Sequence, residues 1–584
     1  MTKSAGRRDP RIIPAPPNAV PEAPAPPAAK KEPQKESLRD IVEQIVVAVI
    51  LAVVIRGFVV EPFVIPTGSM APTLMGRHLE LTCEQCGHVY PVGADERTEG
   101  YVLAHPGEDK AICGNCRYLT RTPQEPRFKG DRILVMKFPY EFPFLPGASD
   151  PERWDVIVFH YPEEPETNYI KRMVGMPGEE LKIVTGDLHA RAADSLEPFR
   201  ILRKPLEHQL AMQMPVYDDR RRPKALADDP QWRRWRAPAG GWSEPSPGRF
   251  YSESSSSEWS SLRYHNLVPD PEQWDAVLRS RPLPSLPRRS LITDFYSYNG
   301  STTGDPRNPN AAWLQSNWVG DLTIECRVES ESAEGIVRLE LVEAGVSNRC
   351  DIDLATGVAV LYHGDRELGK AETSLRGKTT ADLRFANVDD RLTLWVSGST
   401  PFGEGLTYDD GPIAADFGPK IEDLDPVSIS VKGGRVAVSD LVLHRDIYYT
   451  QEAGVPDASL PSGFGGGDSE WAPVMRMFEL LRDPQRFSRA MAGIPSRSFV
   501  IRPGNYMMMG DNSPRSSDSR MWGARDTRWT DGERSGWEVP RELMVGKAFY
   551  VYWPHCVPFW PNLSIGRDIR IPFRPYFERM RPIR

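Results

Sequence analysis

Two sets of residues in this sequence are spaced as chemistry would require. Cysteines stand in two C-x-x-C pairs, Cys83 and Cys86 in "CEQCGH" and Cys113 and Cys116 in "CGNC". Each pair offers two thiolates to one ion, so the two together complete a tetrahedral set and point to a structural zinc with no position left for water. Local disulfides are the alternative, because this region is expected outside the cytoplasm, where thiols oxidise. His88 and His105 read as bystanders. The second set begins with Ser69, in "PTGSMAPT". Pro66, Thr67, Gly68 and Ser69 are all turn-formers, and alone they would be a turn and nothing more.

A serine nucleophile needs a base. None of the 10 histidines sits in a recognisable triad motif. A lysine can serve if burial brings its pKa from about 10.4 toward neutrality, leaving an amine able to accept a proton. Such a lysine must be embedded in apolar sequence, and "NYIKRMVGMPGEE" supplies Lys171 between Tyr169–Ile170 and Met173–Val174. Arg172 beside it should point to the other face of a strand, so one of the two is expected to face inward.

The elements that must position these residues are legible in outline. Residues 1–40 are rich in Pro, Ala, Lys and Glu and have almost nothing to bury, so they read as a disordered tail. Residues 41–60, "IVEQIVVAVILAVVIRGFVV", just reach the ~20 residues needed to cross a bilayer, with Glu43 and Arg56 near the ends. No small-x-small site follows, so an uncleaved anchor is expected, with a buried core helix as the alternative. A slight basic excess in the tail favours a cytoplasmic N-terminus.

Beyond the anchor, short runs rich in β-branched and aromatic residues ("GDRILVMKF", "DVIVFHY", "EELKIVTGD") read as strands, and the same texture returns in "SFVIRPGNYMMMGDN" and "VGKAFYVYWPH". Between them, 207–290 has no clear period and includes the low-complexity "SESSSSEWSS", so it reads as a linker. Residues 291–450 alternate short strands and turns, as an antiparallel sandwich does; their pattern resembles laminin-G or concanavalin-like jelly rolls, many of which bind glycans. Residues 451–496 read as a second linker.

At 584 residues several domains are expected. A net charge of −8 argues against nucleic acid as a partner. Seven cysteines are too few for a disulfide scaffold of this size. Cys326 and Cys350 are expected to be buried or bridged, and Cys556 to lie in a core.

Taken in order, an anchor, "PTGSMAPT", "GDRILVMKF", "YIKRMVGMPGE" and "MMGDNSPRSSDSRMWG" resemble the signature of type I signal peptidases. The resemblance covers about residues 37–76, 128–206 and 497–560. It implies a mainly β fold: a signal-peptidase-type core (61–80, 128–206 and 497–584) behind one transmembrane helix, with a zinc-ribbon insertion at 81–127 and the sandwich inserted later. It implies Ser69 as nucleophile and Lys171 as general base, with no cofactor for catalysis. The Ser69 N–H and the Thr67 hydroxyl would form the oxyanion hole. Ser516 would orient the lysine, supported by an Asp518–Arg520 ion pair, and Asp511 would be structural. Ile65, Met70, Leu74 and Tyr169 match positions lining the substrate pockets, though core packing is their alternative. The partners implied are the lipid bilayer and signal peptides of exported preproteins, cleaved after small-x-small sites on the outer face of the membrane. A glycan or envelope component is a candidate partner for the sandwich, with a spacer role as the alternative. An inactive anchored binding protein and a self-cleaving repressor-like protease are the other functions considered. Because the core motifs resume after Ile501, 188–496 is expected to be dispensable for cleavage.

Overall fold

The computed structural model describes residues 38–94, 110–122, 128–141, 150–254, 258–301, 315, 317–408, 417–452, 472–492, 496–522, 537–554, 556–558, 564–565, 569–570 and 573–584. Expectations for 1–37, His105, most of the ribbon's intervening stretch, 255–257, 453–471 and 493–495 lie outside these residues.

The chain divides into two compact units at Val54. The first contains the helix Leu38–Val54, none of whose side chains is buried. With the π turn Ile55–Val59 the apolar stretch Leu38–Val59 has 22 residues. At ~1.5 Å per residue that is about 33 Å, enough to cross a hydrocarbon core of about 30 Å.

The second unit, Ile55–Arg584, is built mainly of antiparallel strands. Its principal sheet runs Val60–Val64, Arg132–Met136, Met544–Trp553, Val156–Tyr161, Glu164–Gly175, Asn505–Met509 and Val539–Pro540. Residues far apart in sequence are therefore neighbours: Ile157 pairs with Lys171, and Met509 with Arg172. Apolar layers cover both faces. Ile133, Val135, Val156 and Val158 pack with Ile65, Met70 and Leu74 on one side, and Ile157, Phe159, Met173 and Met508 pack together on the other. A four-stranded sheet, Arg200–Ile201, Asp187–Ala192, Glu179–Val184 and Ser498–Val500, adjoins it.

The sandwich extends beyond its expected boundary. Residues 207–290 are not a linker. They supply Met214–Asp218, Trp242–Ser246 and Arg249–Ser254 to one sandwich sheet, and Trp235–Arg236 and Ser260–Tyr264 to the other. Their strands are short and rich in Arg, Trp and Ser, so no period-2 pattern marks them, yet Phe250, Leu262 and Tyr264 enter the sandwich core. "SESSSSEWSS" begins within a strand of one sheet and ends within a strand of the other. Within 451–496, two helices form, Ala472–Leu481 and Pro484–Met491. Cys326 and Cys350 are buried free thiols in the same core, one in each sheet.

Nor is the sandwich loosely hung on the principal and four-stranded sheets. Met214, Tyr296, Tyr298, Ile447 and Tyr449 share one apolar cluster with Leu181, Ile183, Phe499 and Met507. Lys204 Nζ reaches Asp389 Oδ1 at 2.6 Å and Asp446 Oδ2 at 2.8 Å, all three side chains being no more than 3% exposed. Removing 188–496 would strip one side of that cluster, which counts against its being dispensable.

Candidate active site

Ser69 lies on a single 3-10 turn, Gly68–Met70, that follows the edge strand Val60–Val64. Ala71 N donates back to the Gly68 carbonyl (3.1 Å) and Leu74 N to that of Met70 (2.8 Å), so the turn closes on itself. Gly68 is demanded by space: a Cβ there would fall 2.2 Å from the Tyr298 ring. Met70 and Leu74 are fully buried, which anchors the turn and leaves Ser69 8% exposed.

Lys171 reaches this turn from the strand Glu164–Gly175. Its Nζ lies 2.9 Å from Ser69 Oγ and donates to the Ile170 carbonyl at 2.8 Å. The side chain is 3% exposed. Burial lowers its pKa from 10.5 to about 8; the attraction of Asp518 and Asp511 opposes the shift, and Arg520 adds to it. The expectation that only one of Lys171 and Arg172 faces inward is corrected. Both are buried, because the strand is central in a sheet covered on both faces. Arg172 makes a bidentate pair with Asp511 (2.8 and 2.7 Å) and donates to the Trp154 carbonyl at 2.6 Å.

The segment after Met509 packs beneath the serine turn. Gly510 sits where a Cβ would lie 2.4 Å from the Ser69 carbonyl oxygen and 2.2 Å from Ser516 Oγ. Asp518 accepts from Gly510 N (3.0 Å) and holds Arg520 through two bonds of 2.9 and 2.6 Å. Ser519 Oγ accepts from Met508 N (3.0 Å), and Ser517 is exposed. The Ser516 hydroxyl is buried and has no partner, so here it does not bond the Lys171 amine.

Of the four residues matched to substrate pockets, Ile65, Met70 and Leu74 are 2, 0 and 0% exposed and pack into the core rather than lining an open surface. Tyr169 is half-buried, stacked on Tyr161 (4.5 Å) and edge-on to Trp522 (5.8 Å), with Lys171 Nζ 5.2 Å from its ring centroid. Thr67 is exposed beside the turn.

The four paired cysteines form one cluster, their sulfurs within 4.8 Å of one another. Cys83 faces Cys116 and Cys86 faces Cys113, each pair 3.6 Å apart. These are free thiols, far outside the ~2.05 Å of a disulfide. An ion bound by four sulfurs at ~2.3 Å needs edges of about 3.8 Å, so the set fits a tetrahedral soft metal. The two knuckles repeat one backbone pattern. Gly87 N donates to the Cys83 carbonyl and Arg117 N to that of Cys113, with Gly87 and Arg117 both at positive φ. Trp232, Leu267 and Trp274 cover the cluster.

Several site residues went unnoticed in the sequence. Asn512 N donates to the Ser69 carbonyl and Asn512 Nδ2 to that of Gly68, both at 3.0 Å; its place in "MMGDN" was the available signal. Arg520 Nη1 is held by the Thr450 carbonyl (2.8 Å) and hydroxyl (2.9 Å). Nothing in the sequence around Tyr298 or Thr450 marks them.

Three stretches, 38–84, 111–210 and 428–553, match the family described as "Signal peptidase, peptidase S26". The matched stretches hold Ser69, Lys171 and the 516–520 segment. It is 28% identical over 208 residues to signal peptidase I of Pseudomonas fluorescens, covering 32% of this chain and 51% of that protein. To signal peptidase I of Pseudomonas aeruginosa it is 32% identical over 158 residues, covering 25% and 37%. The chain therefore spans about half, or less, of the length of these curated relatives. Among solved structures, the carbohydrate binding module CBM66 from Bacillus subtilis is 8% identical over 36% of this chain and 93% of that one, at a TM-score of 0.21 that carries no weight for binding.

Proposed function

We propose that this chain is a membrane-anchored type I signal peptidase that removes signal peptides from exported preproteins with a Ser69–Lys171 dyad. One observation carries the reading: a buried lysine amine whose pKa is lowered to about 8 lies 2.9 Å from the hydroxyl of a serine on a tight turn. An inactive scaffold has no use for that arrangement, since burying a lysine beside a hydroxyl costs stability.

In the reaction, the neutral Lys171 amine takes the Ser69 proton as Oγ attacks the scissile carbonyl. The Ser69 N–H and the Thr67 hydroxyl, exposed beside it, receive the developing oxyanion. Collapse expels the leaving amine, which takes the proton back from Lys171, and water then hydrolyses the acyl-enzyme with Lys171 again as base. An extended peptide has two places to pair: the outer edge of Val60–Val64, and Glu164–Gly175 before Arg172, where pairing with Asn505–Met509 stops among the described residues. Strand addition would present alternate side chains toward Ser69 and Tyr169, in keeping with small-x-small specificity. The apolar helix is the anchor, with the N-terminus cytoplasmic and the catalytic unit on the outer face. Zinc in the four-cysteine cluster is structural, and no step passes through it.

The test is cleavage of a preprotein in detergent micelles by wild type, Ser69→Ala and Lys171→Met, each checked for folding. Wild type is expected to cut after a small-x-small site and both variants to lose activity. Equal cutting by folded variants, or none by folded wild type, would sink the reading.

A further inference from the structure

The inserted segment before the long sandwich strands reaches the serine turn itself. A 3-10 turn, Ser297–Asn299, places Tyr298 against Gly68 and Asn299 against Asn512. The two asparagines form a reciprocal amide pair: Asn299 Nδ2 donates to Asn512 Oδ1 (2.7 Å), and Asn512 Nδ2 donates to Asn299 Oδ1 (2.9 Å). The same Asn512 Nδ2 also donates to the Gly68 carbonyl (3.0 Å). Asn512 is 2% exposed, so water offers it no alternative partner.

This arrangement bears on catalysis because a peptide unit is planar and rigid. The Gly68 carbonyl and the Ser69 N–H belong to one unit and point in opposite directions. Whatever fixes the carbonyl therefore aims the N–H. A primary amide has one donating and one accepting end, and turning Asn512 over would set two oxygens against each other at Gly68. Asn299 opposes that turn, since it donates to the very oxygen that must stay away from Gly68. The Tyr298 ring fills the space beside the Gly68 Cα.

We infer that Asn299 is a positioning residue for the reaction: through Asn512 and the Gly68 carbonyl it aims the Ser69 N–H at the oxyanion. This rests on the signal-peptidase reading above. A misaimed donor is felt where negative charge develops, in the transition state, and barely in substrate binding. Loss of Asn299 should therefore lower kcat while leaving KM in place.

The test uses full-length protein in detergent and a preprotein substrate, with kcat, KM and thermal midpoint measured for each variant. Asn299→Ala is expected to lower kcat about tenfold or more with KM within about twofold. Asn299→Asp keeps the shape but has no donor for Asn512 Oδ1, and should behave alike. The double variant Asn299→Ala/Asn512→Ala should be no slower than Asn512→Ala alone, because both act on one carbonyl. Wild-type kcat in both folded Asn299 variants, or additive losses in the double variant, overturns the assignment while leaving the peptidase standing. A proportional rise in KM with a lowered thermal midpoint overturns it as well, as mere structural support. Folded wild type without cleavage removes the peptidase reading, and the assignment with it.

Discussion

A lysine amine cannot act as a base while it is protonated, so under the proposed dyad the proton affinity of Lys171 sets the working pH. With its pKa lowered to about 8 by burial, kcat/KM should rise with pH and reach half its maximum near pH 8, as read from a pH–rate profile. Lys171→Met should lose about 10²–10⁴-fold or more at every pH. The same shift has a sign for stability. The unfolded chain holds the proton up to about 10.5, so between pH 8 and 10.5 unfolding takes up a proton and the folded state gains as pH rises. Arg172 and Asp511 make the opposite case, a fully buried pair with no part in proton transfer. Asp511→Ala leaves a guanidinium uncompensated and should cost about 3–5 kcal/mol, seen as a lower unfolding midpoint. Arg172→Met in the same chain should recover part of that loss.

At the scale of elements, two glycines show how closely the pieces meet. Gly68→Ala puts a methyl 2.2 Å from the Tyr298 ring, and cleavage should fall sharply. Because that obstacle is a side chain, Gly68→Ala/Tyr298→Ala should cleave faster than Gly68→Ala alone. At Gly510 the obstacles include the Ser69 carbonyl itself, 2.4 Å away, so removing the Ser516 side chain should not rescue Gly510→Ala. Steady-state rates of the four variants decide both points. In the knuckle element, metal analysis should find one zinc per chain. Chelation, or Cys83→Ser with Cys113→Ser, should lower the unfolding midpoint and expose Trp232 and Trp274, followed by fluorescence. Four thiols that are unreactive after denaturation without metal would instead speak for disulfides.

At the scale of the whole molecule, the second unit folds its sandwich and its other sheets as one body. Tyr296, Tyr298, Ile447 and Tyr449 fill one side of a cluster whose other side is Leu181, Phe499 and Met507. Excision of 188–496 should therefore give an insoluble or unfolded chain, measured as loss of soluble, protease-resistant protein. A soluble excised chain that still cleaves would show that the sheets close without the sandwich.

What the sequence determined by itself was chemistry carried in short, local patterns. Ser69 in its turn, Lys171 among apolar neighbours, the two cysteine pairs and the apolar helix are each readable within a dozen or so residues, because one element supplies each. The mainly β character was legible for the same reason, in runs of β-branched and aromatic residues. Only the tertiary structure decided which of these meet. The 2.9 Å approach of Lys171 to Ser69 spans 102 positions, and that of Asn299 to Asn512 spans 213. Such contacts depend on sheet order, which leaves no local trace. The same limit hid the strands within 207–290: their Arg, Trp and Ser residues form strands because long partners in the sandwich pair with them, not because of any period of their own. It also hid the burial of Arg172 next to Lys171. Alternation predicts one inward side chain, but a central strand covered on both faces buries both.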